Sequence, residues 1–261
     1  MRFLCIFAIP RTGSSHLNKL LKSCRGVDAK SELFHGSARM RFSEGELAQL
    51  RDRAGDMVLD AAKFANWRRR HPAGTLKAIY EGGAPRIVAF KVFQNHLKPE
   101  KIESELLARD DIGFAVLTRR PIECYISGLK AKSMSRFGAI DTTAIKPTLS
   151  AGDFAEWAER NMRWYRWIQD ALEARSQPYA KLSFEEHLDG LSGEESLARI
   201  LPLFEAIGFP AMQASQRIVE GQRQDKEVRY QDRVANWDEF AAAASADPEF
   251  ASLFEWSMAA P

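Results

Sequence analysis

At 261 residues, 45% hydrophobic and 28% charged, the chain has an ordinary soluble globular composition and enough length to bury a sizeable core. Its formal net charge of +2 excludes a global field selecting nucleic acid or a membrane surface, so any anion binding has to be local. Cys5, Cys24 and Cys124 form no CxxC pair and no even framework, which excludes a disulfide scaffold and predicts reduced thiols.

The opening stretch "MRFLCIFAIP" has a short apolar part, with Arg11 where a leader peptide would carry small residues. Residues 2–9 therefore read as a first buried strand. No run approaches transmembrane length, and the cytoplasm is the expected location. A helix is expected from Ser14 or Ser15, with Leu17, Leu20 and Leu21 on one face. "VDAKSELFHG", 27–36, reads as loop. "SEGE" at 43–46 matches a capping box, with helix following to about Arg70, and Pro72 opens another through Tyr80. "RIVAFKVF", 86–93, is a second buried strand, after which Pro99 opens a helix through Arg109. "IGFAVL", 112–117, is a third, and Pro121 opens a helix to about Met134.

Residues 137–152, with their Gly, Thr and Pro, read as a mobile loop. "DFAE" at 153–156 caps a long helix that places Phe154, Trp157, Tyr165, Ile168 and Leu172 near one stripe, a core pattern. "YAKLSF", 179–184, is a fourth strand, "SGEE" at 192–195 caps the next helix, and the remainder is helical with a basic stretch around 223–233. Strands alternating with helices predict an α/β fold with a parallel sheet wrapped on both faces. In such sheets ligands bind beyond the carboxyl ends of the strands.

Two motifs sit at such ends. After the first strand comes Pro10-Arg11-Thr12-Gly13-Ser14-Ser15. Gly13 permits a tight turn and close approach to a ligand, Ser14 and Ser15 offer hydroxyls, the helix amides point at the same place, and Arg11 adds a forked cation. This suits a phosphate. A Walker A loop requires two glycines and a lysine, and the stretch has only one glycine and no lysine. After the third strand comes "LTRRPIECYISGLKA", 117–131, in which Ser127 falls eight residues after Arg119, so two helical turns can bring it back. A metal-using phosphoryl-transfer enzyme ends such a strand with an Asp for Mg²⁺, whereas here it ends in Arg119-Arg120. Each motif alone has a plain reading, as a polar turn or as a surface Arg with a helix Ser.

Together the two segments resemble the sulfotransferases that use 3′-phosphoadenosine-5′-phosphosulfate (PAPS). Residues 10–15 match that family's 5′-phosphosulfate loop, P-[KR]-[ST]-G-[ST]-[ST]. Arg119, Pro121 and Ser127 match its 3′-phosphate motif, R-x-P-x-x-x-x-x-S. Arg in place of Lys, and "SELFH" downstream, are most similar to the bacterial carbohydrate and glycolipid branch, to which trehalose and Nod-factor sulfotransferases belong. "YAKLSFEEHL" and "DRVANWDEF" resemble further family segments, whereas 40–80 and 135–150 fall outside the pattern.

The resemblance implies a single P-loop-type domain over 1–261, a three-layer sandwich with a central parallel sheet. It implies PAPS as donor and adenosine 3′,5′-bisphosphate as product, without a metal. The amides of Thr12, Gly13, Ser14, Ser15 and His16 would hold the 5′-phosphate, and Arg11 would act as the cation at the leaving oxygen. Arg119 and Ser127 would hold the 3′-phosphate, with Arg229 or Arg233 closing over it and Phe184 lying against adenine. As base for the acceptor hydroxyl, Glu32 ranks first, His96 second and His35 third; Lys91 would bind substrate or pair with a carboxylate.

The acceptor implied is a small carbohydrate or a glycolipid, with no nucleic-acid partner and no membrane span. "WRRRHP", 67–72, reads as a solvated helix end. The histidines share no metal-ligand spacing, and no GxSxG elbow is present. The alternatives are a metal-dependent nucleotide phosphotransferase and a non-catalytic nucleotide-binding protein.

Overall fold

In the computed structural model, which describes residues 2–36, 40–83, 85, 87–134, 141–215, 217–218, 224–246, 248–254 and 256, the first apolar run is the middle strand of a sheet. This strand, β1 (Phe3–Phe7), is buried along its whole length and leads into α1 (Ser14–Lys22). The segment read as loop contains a strand, β2 (Val27–Ala29), at one edge of the sheet. Three residues with an aspartate among them carry no periodic signal; β2 exists because its backbone pairs with a neighbouring strand.

Three helices follow, α2 (Glu44–Ala54), α3 (Ala61–Arg70) and α4 (Pro72–Gly83). Then come β3 (Ile87–Val92), the short α5 (Pro99–Ile102) with a π-helical turn Glu103–Leu107, β4 (Ile112–Thr118) and α6 (Pro121–Ser133). The long α7 (Ala151–Glu173) precedes β5 (Tyr179–Ser183) and α8 (Phe184–His187). The remaining helices are α9 (Gly193–Ala206), α10 (Tyr230–Arg233), α11 (Trp237–Ser245) and α12 (Pro248–Phe254).

The described strands pair in the order β2-β3-β1-β4-β5, every pair parallel. Phe3, Cys5 and Phe7 of β1 join Val88, Phe90 and Val92 of β3 and Tyr165 and Ile168 of α7 in one core. Leu4 and Ile6 point to the other face, where Leu17, Leu20 and Leu21 of α1 and Leu197 and Ile200 of α9 cover them. This is the expected P-loop-type α/β sandwich, helices over both faces of a parallel sheet.

Two helix boundaries differ from expectation. Ser43 and Glu46 do form a capping box, but Gly55, at φ 58, ends the helix there, and Asp60 restarts it by accepting the amides of Ala62 and Lys63, each at 3.0 Å. The long helix begins before Asp153 because Ser150 is its cap, accepting the Asp153 amide at 3.3 Å. Residues 141–150 form neither helix nor strand, and 137–140 of that expected loop lie outside the described residues.

Parallel pairing puts all five carboxyl ends on one edge. The chain crosses from β3 to β4 on opposite sides of β1, which makes the end of β1 the topological switch point. The buried Tyr165 hydroxyl braces this point: it accepts from the Ile9 amide at 3.1 Å and donates to the Leu117 carbonyl at 2.8 Å. Among the described residues no helix is long and apolar enough to cross a membrane.

Candidate active site

The sequence-predicted residues fall one group to a strand. Glu32 follows β2, His96 follows β3, the 10–15 loop follows β1, Arg119 follows β4 and Phe184 follows β5. With neighbouring strands ~4.8 Å apart, the sheet order lays them out over roughly 19 Å: carboxylate and histidine, anion loop, arginine, aromatic.

The loop at the centre is built for close approach. Arg11 and Gly13 both take positive φ, 74° and 82°, which turns the chain back on itself before α1. A Cβ on Gly13 would meet Cδ2 of Phe184 at 2.3 Å, so only glycine lets the loop lie against that ring. The buried Thr12 hydroxyl donates to the Ile9 carbonyl at 2.9 Å and braces the loop from behind. The His16 amide is already committed to the Gly13 carbonyl at 2.8 Å, which leaves anion contacts to the amides before it.

Lys91, buried within β3, reaches up between the loop and Glu32. Its ammonium lies 3.1 Å from Ser15 Oγ, 3.3 Å from Ser14 Oγ and 3.3 Å from Glu32 Oε1. Burial lowers its affinity for a proton, and the Glu32 carboxylate opposes that. The cation facing the carboxylate is thus Lys91, a residue sequence reading left between two roles. Its place inside an apolar strand signalled burial, and a buried lysine points to a partner. Arg11 faces the other way: its Nε donates to Ser127 Oγ at 2.9 Å and its Nη2 to Gln224 Oε1.

Glu32 sits in a loop turned by Ser31, whose φ is 59. The buried Asn18 of α1 accepts the Ser31 amide at 3.1 Å and fixes that turn. His96 Nε2 lies 3.6 Å from Glu32 Oε2, while its Nδ1 accepts the Phe93 amide at 3.2 Å. A ring nitrogen that accepts cannot carry the proton, so the neutral imidazole bears it on Nε2 and directs it at the carboxylate. The His96 N–H and the Lys91 ammonium hold the Glu32 carboxyl at about 2, against the opposing effect of burial. Burial pulls His96 below its ordinary value, and Glu32 offsets this in part. The His35 ring packs edge-on against His96, with centroids 5.5 Å apart.

The fold therefore brings Glu32, His35 and His96 together, with ligand atoms within 4.8 Å of one another, although their spacing in sequence gave no such sign. The donor set fits a cation poorly. The Phe93 amide occupies Nδ1 of His96, its Nε2 carries hydrogen, and an ammonium stands beside the carboxylate.

On the opposite flank, Arg119 donates to the Arg11 carbonyl at 3.1 Å and to Glu123 Oε2 at 3.2 Å, and its guanidinium lies 4.1 Å from the centroid of the Phe184 ring. Ser127, expected to return towards Arg119, has Arg11 as its partner instead. Arg119 and Ser127 are thus joined through the loop. Arg233 is buried and grips both Glu123 oxygens, at 2.8 and 2.9 Å, whereas Arg229 is exposed and pairs with Asp232 at 2.7 Å. Of the two C-terminal arginines, Arg233 is the one at this flank. Asp225 links Arg233 (2.9 Å) to the buried Lys130 (2.6 Å), tying the C-terminal segment to α6.

Glu123, overlooked in the sequence because first-turn acids are common in helices, is the hub of this network. Burial pushes its carboxyl up, but the Arg233 bonds and the Arg233 and Arg119 charges outweigh that and leave it at about 2. A cavity of about 300 Å³ opens here, lined by Arg119, Phe184, Tyr230 and Arg233 among others.

No protein-family model matches the chain, and no curated protein does. Three solved structures are similar to it in overall layout. The sulfotransferase domain from the curacin biosynthetic pathway is 12% identical, with 97% of this chain and 95% of that one covered and a TM-score of 0.47. A sulfotransferase from Alicyclobacillus acidocaldarius is 14% identical, with 100% and 98% covered and a TM-score of 0.48. Retinol dehydratase, in complex with androsterone and the inactive cofactor PAP, is 12% identical, with 99% and 82% covered and a TM-score of 0.43. Likeness of this degree carries no argument about chemistry.

Proposed function

We propose that the chain transfers a sulfuryl group from PAPS to an acceptor hydroxyl, with a carbohydrate or glycolipid as the acceptor class suggested by its motifs. The observation that carries this is the Lys91 ammonium, which touches both loop hydroxyls and the Glu32 carboxylate. A group leaving an anion seated in the loop would depart beside a carboxylate able to take the acceptor's proton. The loop amides and the Ser14 and Ser15 hydroxyls hold the 5′-phosphate. Lys91 stabilises the charge that grows on the bridging oxygen as the S–O bond breaks, while Arg11, bonded to Ser127 and Gln224, adds its charge from the opposite flank.

Glu32 accepts the proton of the attacking hydroxyl. A carboxylate held at about 2 is a weak base, which fits a loose transition state in which that proton leaves late. His96 presents a proton rather than a lone pair, so it orients Glu32 instead of replacing it. Arg119 holds the 3′-phosphate, with Ser127 beside it through Arg11 and Arg233 closing the far side. Phe184, one face covered by Arg119, offers its remaining surface to adenine.

Calorimetric titration tests this reading. Adenosine 3′,5′-bisphosphate should bind without added metal and more tightly than ATP with Mg²⁺. A preference for Mg-ATP would move the chain to the phosphotransferases. Arg119→Ala should weaken the bisphosphate by about 1.5–3 kcal/mol and adenosine 5′-phosphate by clearly less, because only the former carries the 3′-phosphate while both meet the loop and ring that Arg119 braces. Equal losses for both would remove Arg119 from that site.

A further inference from the structure

The basic turn "WRRR", read in the sequence as a solvated helix end, does not behave as one. Arginines in a last helical turn ordinarily reach for the helix's own carbonyls or for water. Here two of the three reach beyond α3 to the backbone of other loops. Arg68 is buried, lies 5.1 Å from the Phe64 ring centroid, and donates to the Leu33 carbonyl at 3.0 Å. Arg69 donates through Nε to the carbonyl of His96 at 2.8 Å and reaches Asn95 with Nη2. Successive helical residues point about 100° apart, so one turn serves two separate loops. Those loops carry Glu32 and His96.

The 93–96 turn closes on itself: the His96 amide donates to the Phe93 carbonyl at 3.0 Å, and the Phe93 amide donates back to the imidazole at 3.2 Å. Arg69 anchors the far side of that small ring. Its loss would free the turn to shift the imidazole away from the Phe93 amide, the contact on which the Nε2–H tautomer depends.

We propose that Arg68 and Arg69 are positioning residues, which hold the Glu32 and His96 loops in register from the back of the helical segment. The catalytic part of this rests on the reading of Glu32 as the base; the structural part does not. Arg70, exposed on the same turn, is the control for charge alone.

The test uses the full chain carrying Arg69→Ala, Arg69→Lys or Arg70→Ala, because loss of the buried Arg68 risks the fold. Long-range proton–nitrogen NMR reads the histidine rings directly. The native protein should show one ring locked as the Nε2–H tautomer and titrating below 6.5. In Arg69→Ala that ring should average between tautomers and titrate closer to 6.5, with partial rescue in Arg69→Lys and no change in Arg70→Ala.

With PAPS as probe and water as the sulfuryl acceptor, conversion to the bisphosphate and sulfate by Arg69→Ala should slow by roughly 10- to 100-fold while affinity for the bisphosphate stays within about twofold. An unchanged ring in Arg69→Ala overturns the proposal, as does a displaced ring with undiminished turnover. If the native protein does not bind the bisphosphate, the donor reading fails, and the ring signals alone decide whether Arg69 positions His96.

Discussion

Glu32 and His96 show how little a residue type says about its role until its neighbours are known. In isolation the histidine is the better base near neutrality. In this fold it has a backbone amide on one nitrogen and a proton on the other, while the carboxylate beside it stays charged down to about pH 2. A rate that depends on ionised Glu32 should therefore be level from about pH 8 down to about pH 5, whereas a histidine base would impose a falling acid limb near its own pKa. Steady-state turnover across that range separates the two. On the alkaline side donor affinity should weaken earlier than an ordinary lysine would allow, because burial lowers the Lys91 pKa and the loop loses a charge when it titrates.

At the scale of elements, the site depends on how firmly adjacent strand ends are held together. The two motifs proposed to hold the donor follow β1 and β4, and the Tyr165 hydroxyl of α7 joins those strands just where they run out. Tyr165→Phe keeps the ring and its stacking on Trp256, but it removes the only described partner of the Ile9 amide. That amide belongs to a residue 1% exposed, so it cannot turn to water. The expected loss is about 1–3 kcal/mol, seen as a lower denaturant midpoint at unchanged slope, together with weaker bisphosphate binding. A stable variant with unaltered affinity would show that the strand ends need no brace.

Over the whole molecule, the C-terminal segment is joined to the sheet by alternating charges: Lys130, Asp225, Arg233, Glu123 and Arg119. The carboxyls of Glu123 and Glu32 are both lowered from 4.5 to about 2 in the folded chain. The unfolded state binds those protons more readily, so this stabilisation is complete above pH 4.5 and is lost as the pH falls towards 2. Circular dichroism should therefore show acid unfolding within that window. Glu123→Gln, which leaves buried Arg233 with Asp225 as its remaining described carboxylate, should cost about 1–3 kcal/mol at neutral pH and flatten the acid dependence.

Much of the fold was legible in the sequence because its signals are local. Apolar runs marked β1, β3 and β4, the mixed stretch "YAKLSF" marked β5, prolines opened α4, α5 and α6, and capping boxes began α2 and α9. The edge strand β2 left no such mark, and Gly55 broke a helix that the periodicity carried through. The loop at 10–15 and the arginine after β4 were likewise legible, since residue type and position at a strand end are properties of short segments.

What the sequence alone could not state is which of these ends would meet. Ser127 bonds Arg11 rather than Arg119, Lys91 joins the loop to Glu32, and Arg69 reaches His96 from another helix. Those pairings follow from the strand order β2-β3-β1-β4-β5, a long-range arrangement set by how the two faces bury their apolar side chains. Local chemistry thus determined what each strand end carries, and packing decided what it faces.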